Sequence, residues 1–107
     1  MAFDGANIWV ANFNSANVTK LRASDGVEQP GSPFSVGVRP SGVAFDGANI
    51  WVTNAASGNV TKLRASDGAN LGTFPVGDFP GGVAFDGANI WVTNFNSNNV
   101  TRMSLVK

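Results

Sequence analysis

Nine residues, AFDGANIWV, occur three times in this chain, at 2–10, 44–52 and 84–92. The copies begin 42 and 40 residues apart, and the difference falls in the stretch after Asp25-Gly26 compared with that after Asp67-Gly68. A period near forty residues restricts a chain to stacked or radially arranged units, because no single unit can bury its apolar face alone. Length therefore varies only in a loop, and every unit needs a neighbour.

Within one copy each apolar run is too short for a helix, rich in Val, Ile, Phe, Trp and Thr, and bounded by Gly, Asn, Asp or Pro. The second copy predicts four strands, over 42–46, 49–54, 59–65 and 72–76. Asp46-Gly47 and Asp67-Gly68 supply tight connections, since glycine accepts a positive φ and aspartate bonds to the backbone that follows. Each unit thus reads as a four-stranded antiparallel meander, and meanders at this period are the blades of an all-β propeller. The second strand is apolar on both faces, with Ile50 and Val52 on one side and Trp51 on the other, as a sheet sandwiched between two sheets requires. On the third strand Lys62 and Arg64 share a side with Val60, the pattern of a strand near solvent. The innermost strand, Gly42-Val43-Ala44-Phe45, is small where blades crowd the axis.

The expected blades are 1–41, 42–81 and 82–107, the last lacking its outer strand. Met1 stands where Val43 and Val83 stand in the later copies, so the chain reads as begun within a longer array. Closed propellers have about four to eight blades, and three would leave an apolar face uncovered at each end. Two chains supply six blades and three would supply nine. A two-fold homodimer closing a six-bladed ring is the expectation.

Composition removes several function classes. Seven acidic and seven basic residues give a net charge of zero, so no long-range field favours nucleic acid or an anionic membrane, and neither is expected as a partner. No run approaches the roughly eighteen apolar residues of a membrane span, and no basic-then-apolar leader opens the chain. The compartment is left open. Histidine and cysteine are absent, which takes away the commonest general base, the commonest metal ligand and thiolate chemistry together. Asp4, Asp46 and Asp86 are copies of one turn position, and Asp25 and Asp67 of another. Turn geometry explains each without a metal, whereas only Glu28 and Asp78 stand outside the repeat. No catalytic residue, metal or cofactor is expected. Lys20, Arg22, Lys62, Arg64 and Arg102 recur on the third strand and read as a solvated outer wall rather than a phosphate track. Trp9, Trp51 and Trp91 hold one strand position and read as interblade packing, each indole N–H needing an acceptor.

The positions at which copies differ while their flanks agree are those the repeat does not dictate. The loops after the second strand read Phe13-Asn14-Ser15-Ala16, Ala55-Ala56-Ser57-Gly58 and Phe95-Asn96-Ser97-Asn98. Those leading into the next blade read Val38-Arg39-Pro40-Ser41 and Asp78-Phe79-Pro80-Gly81. Both loop sets emerge on one rim of a propeller, so Phe13, Asn14, Arg39, Phe79, Phe95 and Asn96 form the candidate binding patch. Rings mixed with amides and a guanidinium suit a carbohydrate, a peptide or a protein surface.

Ile50-Trp51-Val52-Thr53-Asn54 and Ile90-Trp91-Val92-Thr93-Asn94, each preceded by Gly-Val-Ala-Phe-Asp, resemble the bacterial YVTN-type repeat of the NHL and virginiamycin B lyase-like propellers. Tryptophan takes the place of that motif's tyrosine, and the resemblance covers the whole chain. It implies the propeller fold and an exported bacterial parent, and it spans lyases, lactonases and protein-binding scaffolds, so it selects no activity. The lyase-like members are expected to use histidine and acidic residues with a divalent metal, and no position here matches the histidine. Three readings follow. The first is a non-catalytic, self-assembling scaffold or binding module. The second is a metal-dependent lyase or lactonase-like enzyme, with Asn54 and Asn94 helping to hold the metal. The third is a reconstructed propeller fragment without a biological ligand.

Overall fold

The computed structural model describes residues 1–104, and these form three antiparallel sheets with no helix. The first contains β1 (Ala2–Phe3), β2 (Asn7–Asn12), β3 (Asn17–Arg22) and β4 (Phe34–Ser35), in that order. The second contains β5 (Pro40–Phe45), β6 (Asn49–Asn54), β7 (Asn59–Arg64) and β8 (Asn70–Pro75). The third contains β9 (Pro80–Phe85), β10 (Asn89–Asn94) and β11 (Asn99–Ser104), with β11 at its edge. These are propeller blades. The chain's last three residues, assigned from sequence to the third blade, lie outside the described residues.

The expected strands recur with shifted ends. β5 begins at Pro40 rather than Gly42, with an irregularity in the β5–β6 register between Pro40 and Val43. β8 starts at Asn70 rather than Gly72. In the first blade the outer strand shrinks to Phe34–Ser35, because the extra residues form a loop held by the isolated Leu21–Glu28 bridge.

Alternation along the strands gives each blade two apolar faces, which the blades use differently. Trp51 and Val60, on one face of blade 2, pack with Ile90 and Val92 of blade 3. Ile50, Val52 and Leu63, on its other face, pack with Trp9 and Val18 of blade 1. Every junction therefore sets a leading tryptophan face against a trailing Ile-Val face. Near the axis there is no room to spare: a Cβ on Gly42 would fall against the Gly81 carbonyl oxygen, to which the Thr53 hydroxyl donates across the junction at 2.7 Å.

Lys20 corrects the expectation of a solvated basic wall. It is 7% exposed, its ammonium lies 5.1 Å from the centre of the Trp9 ring, and it donates to the Ala65 carbonyl of the next blade at 2.9 Å. Its charge is thus satisfied by the ring and by backbone oxygen at a blade junction. Lys62 and Arg102 lie over Trp51 and Trp91 in the same way, at 5.1 and 6.0 Å. Arg22 and Arg64 do face solvent, each paired at 2.9 Å with the aspartate of the adjacent turn.

The turn aspartates carry more than the turns. Asp46 Oδ1 accepts the backbone N–H groups of Ala48 and Asn49, at 2.9 and 2.7 Å, where Gly47 takes up a φ of 99°. Its Oδ2 accepts the Trp51 indole N–H at 2.7 Å. The same pairing joins Asp4 to Trp9 at 2.9 Å and Asp86 to Trp91 at 2.6 Å. One carboxylate therefore closes the hairpin and fixes the ring that docks the next blade. Asp46→Ala leaves the Trp51 N–H unpartnered next to a buried junction, and urea denaturation should report a loss of about 1–3 kcal/mol. Asp46→Asn keeps one oxygen for the turn but sets an amide N–H group against the indole N–H, so its loss should fall in the same range.

Candidate functional site

Two surfaces stand out. The first is the rim built by the loops after β2, β6 and β10 together with the links that lead into β5 and β9. These links are held in fixed register. The Gly37 N–H donates to Asn54 Oδ1 and the Gly77 N–H to Asn94 Oδ1, both at 3.1 Å. A Cβ at Gly37 would sit 2.6 Å from Asn54 Cγ, so only glycine lets the link run this close. Beyond it Arg39 and Phe79 adopt φ values of 57° and 53°, in the left-handed region. That turn aims both side chains over the rim, while their carbonyls accept the N–H groups of Ala55 and Phe95 at 2.9 and 3.0 Å.

The six rim residues chosen from sequence are all exposed. Four of them come together as two pairs. The Arg39 guanidinium lies 5.6 Å from the Phe13 ring centre, reaching from the link into blade 2 back over the loop of blade 1. Phe79 and Phe95 meet edge to face at 6.4 Å within blade 3. Between the pairs stands Ala55, 3% exposed, where the other blades have phenylalanine. Asn14 and Asn96 flank the rings, and the Asn96 N–H donates to the Asp78 carbonyl at 3.1 Å.

Asn54 and Asn94 do not lie open as metal ligands. Each donates through Nδ2 to the next strand, Asn54 to Asn59 Oδ1 and Thr61 Oγ1 at 2.9 and 2.8 Å, Asn94 to Asn99 and Thr101 at 2.9 and 2.8 Å. Their Oδ1 atoms hold the glycine links already described. Among the described residues no group of three or more acidic, histidine or cysteine side chains gathers to hold an ion.

The second surface is the pair of end faces. On blade 3 the leading face is open: Trp91 is 40% exposed, against 0% for Trp9 and 3% for Trp51. On blade 1 the trailing face is open: Ile8, Val10 and Leu21 are half-buried, whereas Ile50, Val52 and Leu63 are buried. Sequence foresaw uncovered ends but not which residues would lie on which end. The signal was present, since Ile-Trp-Val alternation assigns tryptophan to one face and the aliphatic pair to the other in every copy.

Charge on these surfaces is set by local donors. Bonds from the Trp91 indole and from the Ala88 and Asn89 N–H groups hold the Asp86 carboxyl down to about 2. For Asp4 and Asp46 burial pushes the other way, yet the indole and backbone donors outweigh it and leave both below the ordinary value. A depressed folded-state value stabilises the fold above the unfolded aspartate value and loses that contribution as the carboxylate is protonated. The melting temperature should therefore be flat above about pH 5 and fall as pH drops from about 4 through about 2. In an Asp4→Asn, Asp46→Asn, Asp86→Asn variant, thermal melts should show much of that slope removed.

No family model and no curated protein matches the chain. Solved structures do. Virginiamycin B lyase from Staphylococcus aureus superposes with a TM-score of 0.77 at 18% identity, over 94% of this chain and 34% of that one. Kuenenia stuttgartiensis hydrazine synthase gives 0.74 at 24% identity, over 95% and 33%. Myxococcus xanthus glutaminyl cyclase gives 0.69 at 9% identity, over 96% and 46%. At these identities the likeness is one of fold, and the propeller repeat read from the sequence is matched with the virginiamycin B lyase group among the neighbours. The chain spans about a third of the length of the first two structures.

Proposed function

We propose that this chain is a non-catalytic, self-assembling propeller segment in which two copies join head to tail and close a six-bladed ring. One observation carries the proposal. The open face of blade 3 repeats the residues by which blades 1 and 2 dock onto their successors, and the open face of blade 1 repeats the residues onto which they dock. A leading face that meets the trailing face of a second copy makes one seam, and the two-fold operation makes the other. At about 25 cal/mol per Å² of apolar surface, each seam is worth several kcal/mol. The non-catalytic reading is supported by the lack of histidine and cysteine. It is supported also by the occupation of the turn carboxylates by N–H donors.

The ring serves as a rigid support for its rim. Phe13, Arg39, Phe79 and Phe95, with Asn14 and Asn96, are suited to contact with a peptide, a carbohydrate or a protein surface, since rings supply area and the amides and guanidinium supply direction.

Light scattering on purified protein at micromolar concentration should give twice the chain mass of 11.1 kDa. A mass of one chain would overturn the proposal. Trp91→Lys, which puts a charge into the seam while leaving the two internal junctions intact, should convert the dimer to monomer. For the rim, a carbohydrate and peptide array probed with the wild-type chain should yield binders whose signal drops several-fold with Phe95→Ala. Unchanged signals would remove the rim from the proposal.

A further inference from the structure

The rim opposite the one that carries Phe13 and Arg39 holds a cleft of about 410 Å³ between blades 1 and 2. Blade 1 contributes Asp4 and Ala6 from its first hairpin and Lys20 from β3, and blade 2 contributes Phe45 and Ala48 from its first hairpin and Ser66 from the turn after β7. The cleft lies inside the array, at a junction with a four-stranded sheet on either side.

Lys20 is its unusual member. The residue is 7% exposed, yet it takes part in no ion pair among the described residues, where Arg22 and Arg64 pair with Asp25 and Asp67. Its ammonium donates to the Ala65 carbonyl at 2.9 Å and to the Ser66 carbonyl at 3.4 Å, and its third neighbour is the Trp9 ring. Carbonyls and ring hold the charge in place without neutralising it. The longer contact also lies beyond the roughly 2.7–3.2 Å of a good N–H···O bond. A buried cation whose partners are all neutral favours an anion, because a bond between charged groups is roughly twice as strong as a neutral one.

The neighbouring groups narrow the kind of anion. Asp4 also faces the cleft, but its Oδ1 accepts the Ala6 and Asn7 N–H groups at 3.0 and 2.7 Å and its Oδ2 accepts the Trp9 indole at 2.9 Å. That carboxylate is committed to its hairpin, and its charge disfavours a second anionic group on the ligand. The Ser66 hydroxyl is exposed and has no hydrogen-bond partner among the described residues, so it can donate to an oxygen arriving beside Lys20. The rest of the wall is apolar, made by the half-buried Phe45 ring and the methyl groups of Ala6 and Ala48. One cationic anchor beside an apolar wall, in a space of this volume, fits a small organic acid better than phosphate or a sugar.

We infer that this cleft is a binding site for a small monocarboxylate with an apolar, ring-sized body. One carboxylate oxygen accepts from Lys20 Nζ in place of the long Ser66 carbonyl bond, the other accepts from the Ser66 hydroxyl, and the body lies on Phe45 and Ala48. The site is separate from the rim pairs Phe13–Arg39 and Phe79–Phe95. It lies within one chain, so it does not depend on closure of a ring.

The test titrates the whole isotope-labelled chain with hydrocinnamate at neutral pH and follows backbone amide shifts by NMR. Saturable shifts are expected at Ala6, Ala48 and Ser66, with a dissociation constant below about 1 mM. Acetate, which has the charge without the body, and hydrocinnamide, which has the body without the charge, should each bind at least about tenfold more weakly. Lys20→Met keeps the stem against Trp9 and removes the charge, and it should weaken binding by at least about tenfold. Because Lys20 also ties the two blades together, Ala48→Trp serves as the second variant. It fills the cleft from an exposed turn position while Lys20 and the bond from the backbone N–H at 48 to Asp46 stay in place. It should abolish the shifts with the melting temperature near that of the parent. No saturable shift at on the order of 10 mM hydrocinnamate, equal binding of the amide, shifts confined to the Phe13 and Phe95 loops, or undiminished binding by Ala48→Trp would each overturn the inference. Light scattering reads the ring and the carboxylate titration reads the cleft, so the two proposals fail separately.

Discussion

The structure depends on the docking of a tryptophan-bearing face of one blade onto an Ile-Val face of the next. Trp9 and Val18 bury against Ile50, Val52 and Leu63, and Trp51 and Val60 against Ile90 and Val92. A single four-stranded meander has no interior of its own, so its side chains become core only when another blade covers them. This explains why three copies of one sequence show three degrees of burial. Blade 2, covered on both faces, has an almost fully buried β6, whereas β2 and β10 are each more open. Position in the array, rather than residue identity, decides exposure.

The docking ring must be held in one orientation for the seam to repeat, and the turn aspartate does this from five residues away. Its first oxygen closes the hairpin and its second takes the indole N–H, while a lysine or arginine from the third strand lies over the ring. Turn, ring and cation therefore form one unit in each blade. Lys20 extends that unit across a junction by bonding to the Ala65 carbonyl. The link Gly37 to Asn54 and its copy Gly77 to Asn94 do the same on the opposite rim, tying each outgoing strand to the next blade.

Much of the fold was legible because the pattern is local and repeated. The period gave the blades, the Ile-Trp-Val alternation gave two buried faces, and the Asp-Gly pairs gave the hairpins. What escaped sequence reasoning joins residues whose separate roles already sufficed. Aspartate in an Asp-Gly turn needs no further explanation, so its second bond to tryptophan went unread, although both residues are copied together three times at a fixed spacing. Lys20 reads from sequence as solvent-facing because its acceptor, Ala65, is 45 residues away and belongs to another blade. The rim residues differ between copies while their flanks agree, and that variation marks them out on one rim. It could not reveal that Arg39 lies over Phe13 across a junction while Phe79 meets Phe95 within a blade, since that depends on the left-handed turns at 39 and 79.

The repeat supplies its own control for the claim that neighbours, not the blade itself, create the core. Ile8, Ile50 and Ile90 stand in the same nine-residue sequence, but Ile50 and Ile90 are fully buried under a preceding blade and Ile8 is not. Chemical denaturation of the three isoleucine-to-alanine variants, at a concentration where the chain is dissociated, separates the possibilities. The account predicts a loss of about 2–5 kcal/mol at positions 50 and 90 and a much smaller loss at position 8. Equal losses at all three positions would contradict it.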